Sequence, residues 1–418
     1  MARKMKDSGI EWIGEIPEGW EVVPVKRLCT MQAGKNLTSE QIAPEGTYPV
    51  YGGNGIRGFF SDYNCDGQFL TVGRQGALCG NVHKINGKVW ATEHAVITAP
   101  SSYAILDFLY YLLIGMDLNQ YVSSTAAQPG LAVGTLLNLK TCYPCSTLEQ
   151  TQISNYLNAK CSEIDTMLSR TRSSIEDYKK LKQAVITQAV TKGVRGEREM
   201  KPTDFTRWSE IPFDWDLKRV KSCIASIFSG LSAVTDDANS EESGKFVLRT
   251  SAVSSGFFVP TEVKPVLKSA VNRLICPVEP DTLIVSRMNT ASMVGACAYV
   301  ANNHPNTFLP DKLWKIKFLP RYHTKYMWYA LNSVPAKSWF SELATGASSS
   351  MQNISINDFT SNYLPIPAFS EQKEIANYLD AKCAEIDKLI AKKEQLVKEL
   401  ESYKKSLIYE VVTGKREV

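Results

Sequence analysis

One stretch of this chain is written twice, and any fold must accommodate both copies. From Leu148 the sequence reads LEQTQISNYLNAKCSEIDTML, and from Ser370 it reads SEQKEIANYLDAKCAEIDKLI. Glu149, Gln150, Ile153, Tyr156, Leu157, Cys161, Ile164 and Asp165 recur at Glu371, Gln372, Ile375, Tyr378, Leu379, Cys383, Ile386 and Asp387, in a register unbroken to Thr191 and Thr413. So long an ungapped match marks an internal duplication.

Both copies read as long helices. Ile164, Tyr178 and Val185 with Met167 and Leu181 fall on a heptad frame in the first. Ile386, Leu400 and Leu407 with Leu389, Leu396 and Tyr403 do so in the second. Apolar residues in two heptad columns with charge between them mark a coiled-coil seam. Thr171, Ser174, Gln188, Lys393 and Glu410 interrupt it. The expected partners are the two copies themselves, paired antiparallel within one chain.

A second echo precedes each half. Residues 12–20, WIGEIPEGW, are matched by 208–215, WSEIPFDW, with one residue fewer, and Lys26-Arg27 is matched by Lys218-Arg219. The chain therefore divides as a tandem repeat: a lead-in at 1–21, a mixed domain at 22–147 and a helix at 148–192. A linker and second lead-in at 193–215, a domain at 216–369 and a helix at 370–414 follow. The domains are expected to be α+β. Short apolar runs at Tyr48–Tyr51, Gln68–Val72, Ala95–Thr98, Phe246–Leu248, Thr282–Val285 and Leu313–Ile316 read as strands. Tyr103–Met116 and Thr324–Asn332 read as helices.

Composition excludes several classes. Net charge is +4, only mildly basic, which suits local DNA-binding patches without demanding them. No apolar run is long enough to span a bilayer, and no apolar core follows the basic Met1–Lys6, so a cytoplasmic location is expected. Ten cysteines include one close pair, Cys142 and Cys145, too few for a zinc site.

The two mixed domains, the repeated EQxxIxxYL…KxxEID helix and the GIEWIGEIPEGW lead-in resemble the specificity subunit of type I restriction–modification systems. The resemblance covers nearly the whole chain. It implies target recognition domains that read a bipartite, asymmetric site on double-stranded DNA, with the paired helices as the spacer between the halves. It also implies two methyltransferase subunits and restriction motor–nuclease subunits as partners. S-adenosylmethionine, ATP and Mg would belong to those partners, and this chain would hold no cofactor, no metal and no catalytic residue. The alternative is a coiled-coil protein-binding scaffold without sequence-specific DNA recognition.

Candidate DNA-binding residues lie where strands end in polar side chains. Tyr51, Asn54 and Arg57 belong to YGGNGIRG, a GxGxxG match that lacks the following helix of a dinucleotide fingerprint and reads instead as a tight loop facing DNA. Arg74 and Gln75 follow one strand, and Arg287 and Asn289 follow another. Arginine can bond guanine O6 and N7, and Gln or Asn can bond adenine N6 and N7, though all of them also suit phosphate. His94, Lys312 and Arg249 are further candidates, as are Thr125 and Gln128 in one polar loop and Ser348, Ser349 and Gln352 in another. A phosphate-binding loop, a Pro-Pro methyltransferase motif and a nuclease carboxylate–lysine cluster are not found in the sequence.

Overall fold

A computed structural model describes residues 3–76, 79–122, 130–232, 243–348 and 351–418. It forms two compact units, Met1–Ser173 with Lys393–Val418, and Ser174–Lys392.

The first unit opens with a hairpin, Met5–Asp7 against Glu15–Pro17. Trp20–Pro24 then pairs with Lys140–Pro144. Between these elements lies a four-stranded antiparallel sheet in the order Cys29–Ala33, Ala95–Pro100, Gln68–Gly73, Val82–Asn86. Gln68–Gly73 is buried on both faces, which is why it shows no polar alternation. Leu70 and Val72 join Phe108, Leu109 and Leu112 of the helix Leu106–Gly115, while Phe69 turns the other way onto Ile85 and Val89.

The second unit repeats this plan. Its hairpin is Met200–Pro202 against Glu210–Pro212, and Asp216–Arg219 pairs with Tyr363–Ile366. Its sheet runs Ile224–Ser229, Leu313–Phe318, Thr282–Ser286, Cys297–Val300. Leu283 and Val285 pack with Tyr326 and Met327 of the helix Thr324–Leu331, and Ile284 faces Leu248 and Val253.

The long helices are Thr147–Lys192 and Phe369–Val412. At 1.5 Å per residue each is about 65–70 Å long. They run antiparallel within each unit. In the first, Asp165 and Arg172 meet Lys404 and Glu401 at 2.7 and 2.5 Å. In the second, Lys182 meets Asp387 at 2.7 Å, and Arg195, just past the end of the first helix, meets Glu374 at 2.7 Å.

The expected seam needs one correction. Ile164, Ile386 and Leu407 are buried, and Tyr178, Val185 and Leu400 are half-buried. Met167, Leu181, Leu389, Leu396 and Tyr403 are instead exposed, between 36% and 53%. The inward column lies one residue later, at Leu168, Ile175, Lys182 and Ala189, and at Ile390, Val397, Lys404 and Val411. A heptad seam alternates steps of three and four residues. From Ile164 and Ile386 the four-step comes first.

Two side chains of the repeated motif explain its glutamate and glutamine. Glu149 accepts the Trp20 indole at 3.0 Å and pairs with Arg3, while Glu371 accepts the Trp215 indole at 3.2 Å and pairs with Arg198. Gln150, fully buried, accepts the Ile105 amide and donates to the Tyr103 and Pro144 carbonyls, each at 2.9 Å. Gln372 accepts the His323 amide at 2.8 Å and donates to the Pro367 carbonyl at 2.9 Å. Each long helix is thereby tied by its first turns to the domain before it. Cys161 and Cys383 are buried packing residues at matching positions.

Candidate nucleic-acid interface

Arg74 and Arg287 leave the ends of corresponding strands and are held by the same backbone frame. The Arg74 amide donates to the His94 carbonyl at 2.9 Å, and the Arg74 carbonyl accepts the Leu131 amide at 2.8 Å. The Arg287 amide donates to the Lys312 carbonyl at 3.1 Å, and the Arg287 carbonyl accepts the Ile354 amide at 2.9 Å. Leu131 and Ile354 are both buried and anchor these bonds. His94 and Lys312 thus hold equivalent places.

In the first unit the glycine-rich segment is a β-hairpin, Tyr48–Gly52 against Gly55–Phe60, with Gly53-Asn54 as the turn. The absence of a helix after it disposes of a dinucleotide site. The hairpin tip lies on the arginine frame: a Cβ at Gly53 would come within 3.1 Å of the Gln75 carbonyl and 3.4 Å of that of His94. Asn54, Arg57, Arg74, Gln75 and His94 therefore gather in one region. The Arg57 chain crosses Gly52, where a Cβ would lie 2.4 Å from Arg57 Cδ. Neither the Arg57 nor the Arg74 guanidinium has a protein partner among the described residues, so both remain available to phosphate or guanine. Asn81, not singled out by sequence, donates to Asn54 Oδ1 at 2.7 Å. Tyr51 is half-buried, packing beside Phe69, Ile85 and Val89, and its carbonyl accepts the Thr92 amide at 2.9 Å.

In the second unit Met288–Asn289 pairs with Met351–Asn353, which sets Asn289 opposite Gln352. Arg287 Nε donates to Asn353 Oδ1 at 3.4 Å, and its guanidinium lies over the Trp314 ring. Lys312 is exposed. Asn289 Nδ2 donates to Ser254 at 2.8 Å and its Oδ1 accepts the Thr290 amide at 2.9 Å. Arg249 lies on a different sheet, beyond strand Phe246–Leu248, with Nε donating to the Val263 carbonyl at 3.2 Å. Thr125, Gln128 and Ser349 lie outside the described residues, as does the side chain of Ser348.

Two half-buried histidines are shifted by desolvation. His83, next to the hairpin glycine Gly55, and His323, ahead of the helix Thr324–Leu331, are both held below the usual imidazole value. No group of metal ligands forms among the described residues. No described helix is long and apolar enough to cross a membrane.

The family model described as "Type I restriction modification DNA specificity domain" matches residues 17–176 and 214–399, one match per repeat. The chain is 42% identical over 157 residues to the type I restriction enzyme EcoprrI specificity subunit of Escherichia coli, a match covering 35% of this chain and 38% of that protein. It is 24% identical over 438 residues to the "Putative type I restriction enzyme MjaX specificity subunit" of Methanocaldococcus jannaschii, covering 96% and 95%. A solved chain from a study of complex assembly and conformational transition of the type I R-M system shares the fold at a TM-score of 0.68 and 14% identity, covering 96% of this chain and 99% of that one.

Proposed function

This chain belongs to the type I restriction–modification DNA specificity family, and we propose that it reads a bipartite, asymmetric duplex target, one half-site per mixed domain. The observation that carries this reading is the arginine frame built twice with different surroundings. One copy presents Arg74 beside Gln75 and His94, and the other presents Arg287 beside Met288 and Lys312. Equal scaffolds with unequal side chains read unequal sequences.

The chemistry then comes from partners: methyltransferase subunits using S-adenosylmethionine, and motor–nuclease subunits using ATP and Mg. The exposed columns Met167 and Leu181, and Leu389, Leu396 and Tyr403, supply apolar docking faces for helices of the methyltransferase subunits. Lys404 is paired with Asp165, whereas the neighbouring Lys405 is exposed.

Sequencing methylated adenines in cells carrying this chain with its methyltransferase partner tests the proposal. The expected result is a gapped motif whose halves differ. A palindromic motif, or methylation without sequence preference, overturns it.

A further inference from the structure

Resting on that reading, we infer that two carboxylates, Glu93 and Asp311, are specificity-determining residues, one per half-site, each accepting the exocyclic amine of cytosine or adenine. The chain places both at one position of one rigid turn. In the first unit the Ala95 amide donates to the Thr92 carbonyl at 2.9 Å, closing the turn Thr92-Glu93-His94-Ala95. In the second the Leu313 amide donates to the Pro310 carbonyl at 3.4 Å, closing Pro310-Asp311-Lys312-Leu313. The next residue in each, His94 or Lys312, takes the arginine amide already described. A glycine backs each turn. A Cβ at Gly34 would lie 2.3 Å from the Ala91 carbonyl oxygen, and one at Gly230 would lie 1.6 Å from that of Leu309. Both turns are thus fixed at three points and lead directly into a central strand of the sheet.

On that reading, a carboxylate one residue from the contact that holds a strand-end arginine has a narrow use. Phosphate repels it, so it cannot serve as a backbone anchor. As an acceptor only, it matches N4 of cytosine or N6 of adenine and opposes O6 of guanine and O4 of thymine. The two sites are also poised for an incoming donor. The Glu93 side chain is 36% exposed, with Oε1 3.1 Å from His94 Nε2, while Oε2 is shielded from solvent and has no hydrogen-bond partner among the described residues, so it meets a base amine only when the side chain turns outward. Asp311 is exposed, and its carboxylate has no partner among the described residues.

The test uses the full chain assembled with its methyltransferase subunits and a library of duplex DNA randomised across the target. Selection by binding is run for the native chain, Glu93→Gln and Asp311→Asn, and folding is checked by the thermal midpoint. Each substitution should lower discrimination at one base pair of one half-site by about tenfold. The other half-site and the salt dependence should stay unchanged. A native chain without sequence preference would sink the parent reading. A selective native chain whose two variants select as it does, or lose affinity evenly across all sequences, would overturn the carboxylate assignment alone.

Discussion

At the scale of single residues, the arginine frames make the sharpest demand. Arg74→Ala or Arg287→Ala should each relax preference in one half-site by about 1–3 kcal/mol, measured as relative methylation of single-base variants. An even loss across sequences would mean phosphate contact instead. The two half-buried histidines set a pH response. Burial lowers the folded values of His83 and His323, so only the unfolded chain takes up protons near pH 6.5. Their contribution is complete above that pH and is lost as pH falls through the lowered folded values. The urea midpoint should therefore be lower at pH 5.5 than at 7.5, and His83→Asn with His323→Asn should narrow the difference. The strand-end arginines were legible in sequence because apolar runs stop just before them. The role of Tyr51 was not, because in a strand beside a hairpin nothing local says which face a ring takes. Glu93 and Asp311 were less legible still: TEHA and PDKL share little, and only the hydrogen-bond frame aligns them.

Among elements, the long helices show where periodicity runs out. Met167–Leu168, Leu389–Ile390 and Leu396–Val397 are adjacent apolar pairs, so pattern alone fits either frame. At Leu181–Lys182 the pattern favours the wrong residue, since lysine is a poor seam residue unless an acid faces it. Lys182 is nearly buried, bonds Asp387 and lies over the Phe257 ring, whereas the equivalent Lys404 is more exposed. Lys182→Ala should thus cost about 1–2 kcal/mol and Lys404→Ala less than about 1 kcal/mol, read from chemical denaturation. Length is the second property of these elements. Removing one heptad from both helices takes out about 10 Å at 1.5 Å per residue. If the helices set the spacing, the unread gap in the methylation motif should shorten by about three base pairs, since duplex DNA rises 3.4 Å per pair. An unchanged gap would show that spacing is set elsewhere.

For the molecule as a whole, duplication is the governing fact. The repeated helix and the Trp…EIP lead-in predicted two alike halves, and each unit has the same hairpin, the same sheet order and the same glutamate–tryptophan clamp. Sequence alone could not show that each unit is completed by the far end of the other repeat's helix, because that is a long-range packing choice. Leu407, Val411 and Val412 close the core around Trp20, and Ile186, Ala189 and Val190 close the one around Trp215. One more property follows from the lysines sunk between the helices. A purely greasy groove lets two rods creep past each other, whereas a charged pair acts as a detent. A slip of seven residues would carry Lys404 from Asp165 to Asn158 or Arg172, neither able to neutralise it. The register of the pair is thus written in the order of its residues and is reset by mutation.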